Sequence, residues 1–163
     1  MSALKNHTTP AAFTAVLLVA CAAALAVTGC GGTKPTTEQT INRYSDELSQ
    51  TVSENVPEQE PREHMLTIVN QMKAVHLRFS RETADFINSY HKLNADYDAP
   101  RPAFDQLFSD YDAKRIQARK EVLDLHFQLA SSATAAEWEP IERAEKKLYE
   151  QVLKALPAAE GTK

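Results

Sequence analysis

The chain has 163 residues, with 18 Lys and Arg against 22 Asp and Glu and a formal net charge of −4. That mildly acidic balance argues against nucleic acid as the main partner, because phosphate recognition needs a clustered excess of cations. The length suits one domain with a core of its own.

Lys5 and the terminal amine give a weakly positive start, followed by the apolar run Ala11–Val27, rich in Ala, Val and Leu. The run ends in Val27-Thr28-Gly29-Cys30. This junction resembles the signal of a bacterial lipoprotein, in which small residues let a peptidase reach the bond before the cysteine. Val27 stands where that family more often carries Leu. The resemblance implies that residues 1–29 are cleaved and that the Cys30 thiol accepts a diacylglyceryl group. Cys30 then becomes the N-terminus, carrying fatty acyl chains such as palmitate. The protein would be exported and held on a membrane by those chains. Gly31, rather than Asp, after the cysteine implies an outer membrane and a periplasmic face if the source is Gram-negative. Two other readings of the run remain: an uncleaved anchor and a secreted protein cut without lipidation. A span needs about 17–25 apolar residues, which Ala11–Val27 only just reaches.

Such processing leaves residues 30–163 and removes a single charged side chain, Lys5. Cys21 departs with the signal and Cys30 is acylated, so no thiol remains for a disulfide, a redox centre or a metal site. The fold of the body must then rest on packing.

Glycine usage sets the fold class. The four glycines, Gly29, Gly31, Gly32 and Gly161, all lie towards the ends. The body has no Asn-Gly or Asp-Gly hairpin signal and no long Val/Ile/Thr alternation. It is rich in Ala, Leu, Glu, Lys, Gln and Arg, the strong helix formers. The expected architecture is all-α, an antiparallel helical hairpin extended to a three- or four-helix bundle without a sheet. One helical domain is expected over residues 37–156, after a tether at 30–36 and before a flexible tail at 157–163.

Gly31–Pro35 makes a short link, reaching no more than about 18 Å at 3.3–3.6 Å per residue. Thr36-x-x-Gln39 reads as a capping box. Ile41, Tyr44, Leu48, Val52 and Val56 then recur at steps of three and four, the apolar stripe of a first helix. Pro57 and Pro61 bracket a polar break, and Pro61 fits the first turn of a second helix.

In that second helix Met65, Val69, Met72, His76, Phe79, Thr83, Phe86, Tyr90, Leu93 and Tyr97 alternate steps of four and three. So sustained a heptad stripe calls for a partner helix. Arg78–Glu82 and Arg81–Asp85 predict ion pairs on a solvated side. Ala99-Pro100-Arg101-Pro102 turns the chain, and a third helix begins near Pro102. Its stripe is Phe104, Phe108, Tyr111, Arg115, Ala118, Val122, Leu125 and Leu129. Two long stripes joined by a short proline turn should fold back on each other. Ser131–Ala133 break the pattern. Thr134-x-x-Glu137 offers a second capping box before Trp138, Ile141, Leu148, Val152 and Ala155. Pro140 either opens this last helix or bends it after a short first turn, and Leu156-Pro157 stops it. Asp-Tyr-Asp occurs at 96–98 and 110–112, where both copies suggest turn or helix-start chemistry.

Four patterns invite a chemical reading. Asn94, Asp96, Asp98 and Asp105 hold the first, third, fifth and twelfth places of a twelve-residue stretch, as in a calcium loop. Such a loop needs glycine at the sixth place and a bidentate Glu at the twelfth; Ala99 and Asp105 stand there instead. Carboxylates beside a proline turn more often cap helix ends. His64, His76, His91 and His126 form no His-x-x-x-His or Glu-x-x-His ligand pair, though His76 and His126 could converge in the hairpin. Lys114, Arg115, Arg119 and Lys120 form a local basic patch interleaved with Asp110, Asp112, Glu121 and Asp124. It reads as a solvated face or as a contact for anionic headgroups or envelope polymers. Trp138, the single tryptophan, reads as a packing anchor or a ligand platform.

No Gly-x-Ser-x-Gly or phosphate-cradling loop is present, so no catalytic residue, cofactor or metal ligand is assigned. The expected function is that of a non-catalytic interaction or structural protein on the cell envelope. Its partners would be membrane lipid through Cys30, and an envelope protein, a polymer or a second copy of the chain. Ala133-Thr134-Ala135-Ala136-Glu137-Trp138 resembles the Leu-Thr-x-x-Gln segment of the small Spy-like helical chaperones. Thr134 matches, while Ala133 replaces Leu and Glu137 replaces Gln. That resemblance implies the alternative of a periplasmic stress-related helper, chaperone-like or metal-responsive.

Overall fold

Thr36 folds its side chain onto the backbone N–H of Gln39 at 3.1 Å, while the Gln39 side chain returns to the Thr36 N–H at 2.9 Å. Two orphan donors are satisfied reciprocally, and the first helix starts there. The computed structural model describes residues 34–156. In it this box opens α1, Thr37–Asn55, followed by α2, Gln59–Ala95, α3, Arg101–Ser132, and α4, Ala135–Ala155. Every described element is helical, so the chain is an all-α bundle. The processing junction at Val27–Cys30, residues 31–33 of the tether and the tail at 157–163 lie outside the described residues.

The four helices follow one another in ring order. α1 packs on α2 and α4, and α2 packs on α3. α4 reaches back to α3 through Trp138 and His126, whose rings meet edge to face at 5.6 Å. Thr37 Oγ1 donates to the carbonyl of Ala155, so α1 starts where α4 ends and the two run antiparallel. Lys73–Asp46 at 2.9 Å and Lys147–Glu47 at 2.7 Å lace α2 and α4 to α1 along the rim.

The core lies where all four helices overlap. Ile41, Leu48, Val52 and Val56 of the first segment meet Met65, Ile68, Val69 and Met72 of α2, Leu125 and Leu129 of α3, and Ile141 and Leu148 of α4. α2 buries Ile68 and Val75 as well as the expected Met65, Val69 and Met72. Two adjacent stripes are needed there because the helix faces α1 on one side and α3 on the other.

Helix length then shapes the rest. α2 has 37 residues and α1 only 19, about 55 Å against 28 Å at 1.5 Å per residue. Glu38 at the start of α1 pairs with Arg81 at 3.7 Å, so α2 runs on past α1 for about 20 Å. Beyond Thr83 only α2 and α3 remain among the described residues, forming a two-helix arm. A ladder of rings holds it together: Phe86 stacks on Tyr111 at 4.1 Å and meets Phe108 edge-on at 5.5 Å. Tyr90 meets Phe108 at 6.0 Å and Phe104 at 6.4 Å. Offset and edge-on aromatic pairs add stabilisation beyond their buried area, which a thin arm with no third layer needs.

Several local expectations are corrected. α2 stops at Ala95, so Tyr97 leaves the stripe and stands fully exposed in the turn. Arg81 reaches across to Glu38 rather than along its own helix to Asp85. The second Asp-Tyr-Asp, at 110–112, is neither turn nor helix start. It lies inside α3, where Tyr111 stacks on Phe79 and Phe86 and shares a 3.3 Å hydrogen bond with Thr83. Arg115, placed on the α3 stripe by spacing, is exposed and holds Asp112 at 2.9 Å. α4 opens at Ala135 on the Thr134–Glu137 box and carries Pro140 inside it, so the helix does not begin at that proline.

Candidate functional site

Glu145 occupies the core slot between Ile141 and Leu148, and it is 2 % exposed. Steps of three and four along α4 place it on the same stripe as its apolar neighbours, so the helix carries its carboxylate into the bundle. Burying a carboxylate is costly unless hydrogen bonds replace its water shell. Here three contacts do so. Nδ1 of His126, on α3, lies 3.0 Å from Oε1 and 2.9 Å from Oε2. The Tyr149 hydroxyl, one turn along α4, donates to Oε1 at 2.8 Å.

The network continues towards α2. The rings of His76 and Tyr149 meet edge-on at 5.6 Å. Loss of solvent, with the Glu145 carboxylate adding to it, pushes the Tyr149 phenol well above its ordinary range, so it stays a hydrogen-bond donor. Burial alone lowers the His76 imidazole to about 4. It is therefore neutral near pH 7, and its buried Nε2 has no hydrogen-bond partner among the described residues. His126 is partly open to solvent and packs against Trp138 on its other side. Trp138 is thus a packing element between α3 and α4.

The cluster joins three helices around one carboxylate, and it acts as a polar pin. One acceptor with two donors of fixed direction defines how α4 sits on α3, because any slip of α4 would strand Glu145 in the core. Of the sequence-level candidates, His76 and His126 are brought to the same α4 cluster, while His64 and His91 stay exposed on α2. Glu145 and Tyr149 were absent from those candidates. The stripe Trp138, Ile141, Leu148, Val152 skips one heptad slot, and a charged residue in that slot was the available signal.

The remaining candidates fall apart in space. Asp96 Oδ1 accepts the backbone N–H of Asp98 at 3.0 Å, a turn-forming use of that carboxylate. Asn94 still belongs to α2, and Asp105 belongs to α3, where it lies 3.8 Å from Arg101. Among the described residues no group of three or more His, Cys, Asp or Glu side chains is placed to hold a metal ion. Lys114, Arg115, Arg119 and Lys120 are all exposed along α3. One surface cleft lies on the arm beside Glu82, Phe86, Tyr111 and Lys114, and another beside Gln71, Val75, Glu121 and Gln128. Neither includes Glu145, His126 or Tyr149.

A feature that the apolar stripes did not reveal is on the outside of α3. Ile116, Leu123 and Phe127 are 62 %, 44 % and 66 % exposed. They face away from the core residues Ala118, Leu125 and Leu129 of the same helix. Comparison with protein-family models, with curated proteins and with solved structures returns no match. Among the described residues no helix is long and apolar enough to cross a membrane.

Proposed function

We propose that the chain is a lipid-anchored envelope protein with an interaction role, tethered through acylated Cys30. The observation that carries the interaction role is the α2–α3 arm, which extends past the four-helix core and is held together by a half-buried aromatic ladder. An arm of that length adds nothing to the core at the far end of the bundle, and it offers a long amphipathic surface to a neighbour. The Val27-Thr28-Gly29-Cys30 junction supports the anchor. The buried Glu145 cluster is better suited to holding helices in register than to turning over a substrate, since neither described cleft opens onto it.

The alternative of a stress-related helper rests on the Spy-like segment around Thr134. Thr134 there caps α4, accepting from the Glu137 N–H while its own N–H bonds the Glu137 side chain at 2.8 Å. That local use accounts for the Thr and the acidic residue three places on without any client.

Mass spectrometry of the mature protein, combined with crosslinking in its native membrane, tests the proposal. The expected product begins at Cys30 with acyl chains and crosslinks through the arm to one stoichiometric neighbour. A product beginning at Met1, or a Cys30→Ser form that stays equally membrane-bound, overturns the anchor. Suppression of client aggregation without a defined neighbour moves the reading to the helper.

A further inference from the structure

The outer face of α3 carries an amphipathic strip on which no helix of the described residues packs. Ile116, Lys120, Leu123 and Phe127 follow at steps of four, three and four, with Arg119 beside them. At 3.6 residues per turn these five side chains fall within an arc of about 100°. The three apolar members are among the most exposed large hydrophobic side chains of the described residues. Arg119 and Lys120 have no ion-pair partner among the described residues. The neighbouring acids are mostly engaged elsewhere: Glu121 with Arg78 and Gln117, and Asp112 with Arg115. Asp124 lies at the edge of the strip.

The geometry points to this face as a lipid-docking surface, laid on the same membrane that holds Cys30. This inference rests in part on the anchor proposed above. Large apolar side chains interleaved with unpaired cations are the chemistry of a helix lying in an anionic interface. The length of the tether agrees. Cys30 lies six residues before Thr36, a reach of about 20–22 Å. α1 lies across the ring from α3, so a bundle resting on α3 holds α1 about 16–20 Å above the surface, a diagonal of about 11–14 Å at interhelix spacings of 8–10 Å plus a helix radius of about 5–6 Å. The tether also starts at the right level. Glu38 meets Arg81, and Arg81 lies between Arg78, bonded to Glu121, and Thr83, bonded to Tyr111. The start of α1 is therefore level with the 111–121 stretch of α3, where the strip begins. A second copy docking through the same strip would set unpaired Arg119 and Lys120 against their own kind, which disfavours that occupant.

The test uses the full chain, processed in a bacterial envelope and reconstituted in phosphatidylcholine vesicles containing phosphatidylglycerol. An environment-sensitive probe is attached at Ala113→Cys, on the edge of the strip, or at Gln50→Cys, on the exposed side of α1. Lipids brominated on their acyl chains should quench the Ala113 probe several-fold more strongly than the Gln50 probe. Arg119→Glu combined with Lys120→Glu should abolish that difference while the protein still floats with the vesicles. Equal quenching at both positions, with the protein still bound, overturns the docking face and leaves the anchor standing. Energy transfer between probes on two copies, without lipid quenching, assigns the strip to a dimer and overturns it too. A Cys30→Ser protein that floats and keeps Ala113 quenched removes the anchor and keeps the docking face. Failure of the acylated protein to float at all overturns both.

Discussion

His126 on α3 and Glu145 on α4 face each other with Nδ1 3.0 Å and 2.9 Å from the carboxylate oxygens Oε1 and Oε2, at the edge of a largely apolar core. One proton must lie between the ring nitrogen and the carboxylate for that contact to be favourable. Glu145 also receives the Tyr149 hydroxyl, so the carboxylate is held from two helices. Removing a donor from a buried carboxylate costs more than neutralising the carboxylate itself. His126→Ala should therefore destabilise the bundle by about 2–3 kcal/mol. Glu145→Gln should cost less, because its amide oxygen still accepts from Tyr149. Urea unfolding of both variants and of the double variant checks this. Equal losses, or a pairwise coupling near zero, would show that the contact does not act as a unit.

His76 makes stability depend on pH. Its folded-state value, about 4, lies below the ordinary 6.5 because burial disfavours the cation. Between those values the unfolded chain binds a proton that the folded chain does not, so stability rises with pH. The contribution is fully present above about pH 6.5 and is lost as the pH falls towards 4, up to about 3 kcal/mol in all at 1.36 kcal/mol per unit. His76→Leu should flatten the stability profile across this window. It should cost little at pH 7, because it also removes the unpartnered Nε2. Glu47 and Glu121, held low by Lys147 and Arg78, lose their support only at more acid pH. Thermal unfolding in steps between pH 4 and 7 reads the difference.

The arm should open separately from the core. Phe86 touches Tyr111, Phe108 and Tyr90, and among the described residues no third helix covers these rings. Phe86→Ala should cost about 2–3 kcal/mol, below the range for a fully buried Phe because the ring is only half-buried. Amide exchange should accelerate across 86–110 while Leu48, Met72 and Leu148 keep their protection. Uniform acceleration through the whole bundle would mean that the arm and the core unfold together.

Ser45 is 1 % exposed, and its hydroxyl has no hydrogen-bond partner among the described residues. Ser45→Ala keeps helix geometry, improves helix propensity and removes the unpaired oxygen. It should stabilise the protein by about 1 kcal/mol. A loss of stability in urea titration would indicate a water or a partner at that hydroxyl.

The sequence alone made the helices legible. Thr36 with Gln39 and Thr134 with Glu137 are short-range boxes, so both helix starts could be read without tertiary knowledge. The apolar stripes likewise found most of the core, because a helix brings residues three and four apart onto one face wherever it packs. What the stripes could not supply was the partner of each face. Arg81 turned to Glu38 of another helix, and Tyr111 entered an aromatic ladder from the middle of α3, since such choices depend on which helices overlap.

Glu145 shows the division most clearly. Its spacing fits the core stripe of α4, yet a carboxylate is tolerated there only because His126 from α3 and Tyr149 from the next turn of α4 meet it. Sequence therefore determined the helical, glycine-free body and the resemblance at Cys30, because capping and periodicity are local properties of the chain. Tertiary structure decided the projecting arm, the polar pin and the bare strip on α3. The arm exists because α2 and α3 outrun α1 and α4, and the pin and the strip because packing sets which face of α3 meets the other helices.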